Sequence, residues 1–75
     1  MNGYDAVYSV AMMKRKTIKS IEKELGLTRN SISSGRASGS APNSSRLSKM
    51  LGTCGYKLVA VPEDTVLNSD SFLID

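Results

Sequence analysis

The sequence predicts a mainly α fold with a C-terminal β element: four helices, then a strand or hairpin. Three observations carry this expectation. Apolar residues recur at helical spacing from Tyr4 to Leu51. Short polar side chains that can cap a helix start (Asn2, Thr17, Thr28 and Asn43) stand just before the successive runs. From Tyr56 the pattern changes to β-formers, Tyr56–Val61, which stop at Pro62. The organisation that follows is a helical unit over 1–55 and a C-terminal strand or hairpin over 56–75. A chain of 75 residues buries only about 60% of its unfolded surface. That is a thin core, which a partner subunit would strengthen.

The first helix is expected from Tyr4 to about Arg15, with Asn2 as cap and Tyr4, Val7, Val10 and Ala11 on one apolar face. Met12 and Met13 read as gap fillers. Thr17 caps a second helix, in which Ile18, Ile21 and Leu25 recur until Gly26, placed where a left-handed residue ends a helix. Thr28 is expected to cap a third helix beginning Arg29-Asn30-Ser31-Ile32. Two short helices joined around a glycine make either a helix-turn-helix or an ordinary helical hairpin. In the first, Leu27 and Ile32 pack under Ile21 and Leu25, leaving the first residues of the third helix outward.

Gly35 to Ser45, GRASGSAPNSS, reads as a polar loop. It is either a phosphate-contacting segment, through Arg36 and serine hydroxyls, or a flexible connector. Asn43 or Ser44 caps a fourth helix running to about Thr53, with Leu47, Met50 and Leu51 inward. Tyr56–Val61 is then a strand without a sheet, and an unpaired apolar edge invites another chain. Ser71-Phe72-Leu73-Ile74 could return as a second strand. The pair would form an intrachain hairpin or, joined to a second copy, an intersubunit sheet. Tyr56, Leu58, Val59 and Val61 are the expected dimer interface.

Charge is unevenly distributed. Residues 1–62 hold all ten bases against Asp5, Glu22 and Glu24, a balance of +7; residues 63–75 hold four acids and no base, −4. A basic body suits a polyanion, because phosphate neutralisation supplies most sequence-independent affinity. Several classes are disfavoured. No histidine is present, and Cys54 is the one cysteine, so neither a metal site nor an internal disulfide is expected. Cys54 reads as a small buried hydrophobe. No nucleophile stands beside a base, and no paired carboxylates or nucleotide loop occur. Thus no catalytic residue, cofactor or small-molecule substrate is expected, and an enzyme is not. No apolar run reaches membrane-spanning length. Lys14, Arg15 and Lys16 follow the first apolar stretch instead of preceding it, unlike a signal peptide. A reducing, cytoplasmic, nucleoid-associated setting fits.

The stretch Thr17–Ser33, TIKSIEKELGLTRNSIS, resembles the helix-turn-helix of the phage lambda repressor and Cro superfamily, often called the XRE family. Leu25-Gly26-Leu27-Thr28 matches its turn, and Arg29-Asn30-Ser31-Ile32-Ser33 the start of its recognition helix. The likeness is looser over positions 4–61. It implies a four-helix lambda-repressor-like domain that binds double-stranded DNA as a dimer on a palindromic operator, as a transcriptional regulator of repressor type. The residues matching Arg29, Asn30 and Ser34 would then face bases. The expected backbone contacts are Thr17, Thr28, Ser31, Ser33, Arg36, Ser38 and Arg46. Related small phage-type regulators end in a similar "GY-apolar-apolar" strand. Two positions depart from the family. Glu22 stands where alanine is usual, and Gly35 where a large apolar residue continues the helix, implying a recognition helix that is short or repacked around Ala37. Independently of any family, an Arg fork fits the guanine major-groove edge, and an Asn amide fits adenine. The alternative function is an antitoxin-like or phage accessory module that presents its surface to another protein.

Overall fold

The computed structural model describes residues 1–74. Four helices follow in order: α1 (Gly3–Met13), α2 (Ile18–Glu24), α3 (Ser31–Ala37) and α4 (Ser44–Gly52). The mainly helical class and all four helices agree with the sequence, and three of the starts use the expected caps. The Asn2 carboxamide oxygen accepts from the Tyr4 amide at 2.8 Å, and Thr17 Oγ1 from the Ser20 amide at 3.1 Å. Asn43 Oδ1 accepts from the Arg46 amide at 2.8 Å. Each satisfies one of the amides that a first turn leaves without an intrahelical partner.

Helix ends are equally local in origin. In α2 the Leu27 amide donates back to the Glu22 carbonyl at 2.8 Å. This closure needs a left-handed residue between them, which Gly26 supplies at φ 68° without a Cβ penalty. The same closure ends α1, where Lys16 N–H reaches the Ala11 carbonyl at 2.9 Å. There the left-handed residue is Arg15, at φ 55°.

α1 lies at the centre, touching α3 and α4, while α2 packs on α3. Ile21, Ile32, Met50, Val7 and Val10 are the largest fully buried side chains, with Tyr4, Leu47, Leu51 and Cys54 completing the cluster. Cys54 is buried and free, in keeping with its reading as a small buried hydrophobe. Lys16 ties the helix ends together: its ammonium donates to Glu24 Oε2 at 2.8 Å and to the Thr53 carbonyl at 2.6 Å.

Met12 and Met13, expected to fill core gaps, are exposed at the end of α1, and the structure corrects the reading of the elements in three places. First, α3 begins at Ser31, not Arg29, and its N-cap is Asn30 in a left-handed conformation (φ 63°), with no capping bond from its own side chain. Thr28 contributes only its carbonyl, to the Ser31 amide at 3.0 Å. Second, α3 runs through Gly35 to Ala37, so the polar connection is shorter than Gly35–Ser45. It is also tethered, since the Ser40 amide donates to the Gly35 carbonyl at 3.1 Å and Asn2 Nδ2 to the Ser40 carbonyl at 3.0 Å. Ala37 is exposed, so α3 does not repack around it.

Third, no strand forms among the described residues of the C-terminal segment. A strand needs a ladder of backbone partners. Residues 56–61 and 71–74 instead meet through side chains. The Tyr56 and Phe72 ring centroids lie 6.2 Å apart, and the Tyr56 hydroxyl donates to the Asp70 carbonyl at 2.6 Å. Tyr56, Phe72 and Ile74 pack against the helical core, and short turns at 63–64 and 69–70 lead the chain back. The expected strands at Tyr56–Val61 and Ser71–Ile74 are therefore irregular segments, held to the helices by Tyr56, Phe72 and Ile74. Among the described residues, no helix is long and apolar enough to cross a membrane.

Candidate nucleic-acid interface

The residues singled out from sequence divide into an exposed edge and a set engaged in structure. Thr28, Arg29, Asn30 and Ser34 are exposed. The first three lie on the turn before α3 and Ser34 is its fourth residue, so Arg29 and Asn30 are presented by a turn and not by the helix itself. Neither the Arg29 nor the Asn30 side chain has a hydrogen-bond or ion-pair partner among the described residues. Ser31 and Ser33 are half-buried. Ser31 Oγ is buried without a partner, and Ser33 Oγ donates to the Asn30 carbonyl at 3.2 Å. The Ser31 hydroxyl is thus buried, whereas that of Ser33 is exposed and bonded to the backbone before α3. Thr17 spends its hydroxyl on capping α2. Ser38 Oγ donates to the Gly35 carbonyl at 3.1 Å and meets Ser40 Oγ at 2.9 Å.

α3 needs external anchors, because only Ile32 in it is buried. At its C-terminal end Gly35 lies against the Tyr4 ring. A Cβ there would come within 2.6 Å of Tyr4 Cζ, closer than real carbon atoms approach, so glycine lets the α3 backbone sit this near the ring. One residue on, Arg36 Nε donates to Asp5 Oδ1 at 3.0 Å, and the guanidinium stacks 4.2 Å from the Tyr8 ring centroid. Arg36 is thus held against α1. The pair is half exposed on both sides, so its Coulombic worth is small; its contribution is direction.

At the N-terminal end the anchor is Glu22. This carboxylate is only 4% exposed and has no ion-pair partner among the described residues. Oε1 accepts from the Asn30 amide at 3.3 Å and Oε2 from the Ile32 amide at 2.9 Å. Sequence reasoning registered Glu22 as an oddity and missed its task. The available signal was its register: Ile18, Ile21, Glu22 and Leu25 fall on one helical stripe, so a carboxylate there is buried and needs donors.

Leu25 and Leu27 share a groove of about 440 Å³ with Asn43, Ser45 and Arg46 at the start of α4 and Lys49 in its last turn. Arg46 Nε is buried and unpaired. This brings two cations beside the α2–α3 connection, including one, Lys49, outside the expected contact set. Lys14 is directed elsewhere, 5.8 Å from the Tyr56 ring centroid. In the C-terminal segment Tyr56 is half-buried against the helices, whereas Leu58, Val59 and Val61 are exposed, as are Val66 and Leu73.

No family model, no curated protein and no solved structure matches this chain. The assignment of a role therefore rests on the geometry: a polar turn with unpartnered Arg and Asn side chains, a short helix clamped at both ends, and a basic groove beside them.

Proposed function

We propose that the chain binds double-stranded DNA in a sequence-specific manner, as a helix-turn-helix regulator of repressor type that acts as a dimer on a palindromic site. The observation that carries this reading is the exposed, unpartnered pair Arg29 and Asn30 on a turn fixed to the core. Arg and Asn are the side chains whose donor and acceptor geometry suits guanine and adenine edges, and helix-turn-helix proteins present such groups at the start of the recognition helix. Arg46 and Lys49, beside the turn, suit phosphates on either side of a groove. Dimer formation is supported by the aliphatic surface of Leu58, Val59, Val61, Val66 and Leu73. Side-chain contact, not strand addition, is the mode this surface offers. Two copies would also double a recognition site that is too short to stand out from a genome's non-specific background.

Replacing Arg29 by alanine tests the reading. Affinity for a selected duplex should fall by about 1–3 kcal/mol, and affinity for random-sequence duplex much less. Fluorescence anisotropy on both duplexes at matched salt measures the two losses. Equal losses would reassign Arg29 to phosphate contact.

A further inference from the structure

We infer that Glu22 is the positioning residue of the DNA-reading edge: its carboxylate fixes the turn that carries Arg29 and Asn30 by holding the Asn30 and Ile32 amides together. The DNA consequence rests on the function proposed above; the structural consequence does not.

The argument begins with an amide that ought to be unsatisfied. Ile32 is the second residue of α3, where no intrahelical acceptor is available. An N-cap side chain ordinarily meets this need. Asn30, the N-cap, makes no such bond. Its backbone is left-handed, at φ 63°, a conformation that asparagine tolerates better than most residues but that still needs a contact to select it. Glu22 supplies both missing elements from another helix. One oxygen takes the Ile32 amide at 2.9 Å and the other the Asn30 amide at 3.3 Å. The Glu22 carbonyl meanwhile receives the Leu27 amide at 2.8 Å. One residue therefore closes the end of α2, caps the start of α3, and bridges the two ends of the connection between them.

The connection contains no other side-chain cap. Leu27 packs half-buried against the core and the Thr28 carbonyl takes the Ser31 amide at 3.0 Å, but residues 28–30 are exposed. Apart from Ser33 Oγ on the Asn30 carbonyl, no other side chain among the described residues bonds the turn to the helices. Where Arg29 and Asn30 point is therefore set by the Glu22 fork together with the packing of Ile32. Charge makes a separable contribution. An anion near a DNA-binding edge repels phosphate, so its removal alone should raise affinity for any duplex. A positioning role makes the opposite forecast for selective binding.

The test uses the full chain and begins without DNA. In the wild-type protein the Ile32 amide, followed by NMR hydrogen exchange, should be protected well beyond the exposed amides of Thr28 and Arg29. Exchange of Ile32 at the unprotected rate would overturn the proposal, whether or not any variant folds. In Glu22→Ala that protection should vanish while amides of α1 remain protected. In Glu22→Gln, which retains one acceptor oxygen, the Ile32 protection should largely persist.

On DNA, the ratio of affinities for a selected and a random duplex should drop about tenfold in Glu22→Ala and much less in Glu22→Gln. Affinity for the random duplex should hold or rise in both. Equal ratios in the wild type and the alanine variant, or equal losses in the two variants, would contradict positioning by the fork. A wild-type chain that prefers no duplex over random DNA would instead overturn the proposed function, leaving hydrogen exchange to decide the role of Glu22 in holding the turn.

Discussion

Ile32→Ala should destabilise the chain by about 2–5 kcal/mol, a large share of the roughly 5–15 kcal/mol available to a small domain. The side chain is fully buried and belongs to the main core cluster. It is also the only buried residue of α3, so nothing else in that helix compensates for the lost contacts. Truncation would leave a cavity between α2 and α3 and loosen the helix that carries the candidate DNA-reading edge. Thermal unfolding by circular dichroism measures the effect. At about 4–8 °C per kcal/mol for a chain of this size, the melting point should fall by roughly 8 °C or more. A shift of less than about 4 °C would mean that α3 is held chiefly by its polar anchors.

Gly35→Ala should also destabilise, by about 1–3 kcal/mol, although alanine is the better helix former. Helix propensity alone predicts the reverse sign, a gain of about 0.5–1 kcal/mol. The close approach decides the outcome. The new methyl would stand 2.6 Å from Tyr4 Cζ and 2.7 Å from Cε2, and the ring is buried with little room to retreat. A double-mutant cycle isolates this cause. In a Tyr4→Leu background the ring is absent, and Gly35→Ala should become neutral or mildly stabilising. Urea denaturation of the four proteins gives the coupling. An equal cost in both backgrounds would place the effect outside the Tyr4–Gly35 contact.

Much of the helical body is legible in the sequence because its determinants are local. Asn2, Thr17 and Asn43 cap the helices they precede, and Gly26 ends α2 where its position suggests. The apolar stripes of α1 and α4 supply the core, and Ile21 the buried part of the α2 stripe, with Ile18 and Leu25 packed half-buried against it. The start of α3 misleads because its cap comes from Glu22, eight and ten residues back from the amides it serves. Thr28 has the right chemistry for a cap, but its side chain is not used. Gly35 misleads in a different way. Glycine in a polar run reads as a breaker, whereas here it stays helical and admits the Tyr4 ring from α1, a contact 31 residues away in sequence.

The C-terminal segment shows the limit of a propensity argument. Tyr56–Val61 has strand composition, but strand formation depends on a backbone partner; here only Tyr56 packs on the helical core, and Leu58, Val59 and Val61 stay exposed. The candidate edge was partly readable. Arg29 and Asn30 stand out by chemistry and prove exposed. The engagement of Arg36 with Asp5 and Tyr8 was not readable, because it depends on how α3 crosses α1.

Selection of binding sites from a random duplex pool by the full chain tests the central claim most directly. The account predicts enrichment of sites built from two inverted half-sites, their centres about 10–10.5 base pairs apart, as two recognition elements on one face of the duplex require. Recovery of an unenriched pool, with retention that depends on salt alone, would contradict sequence reading by the Arg29–Asn30 turn.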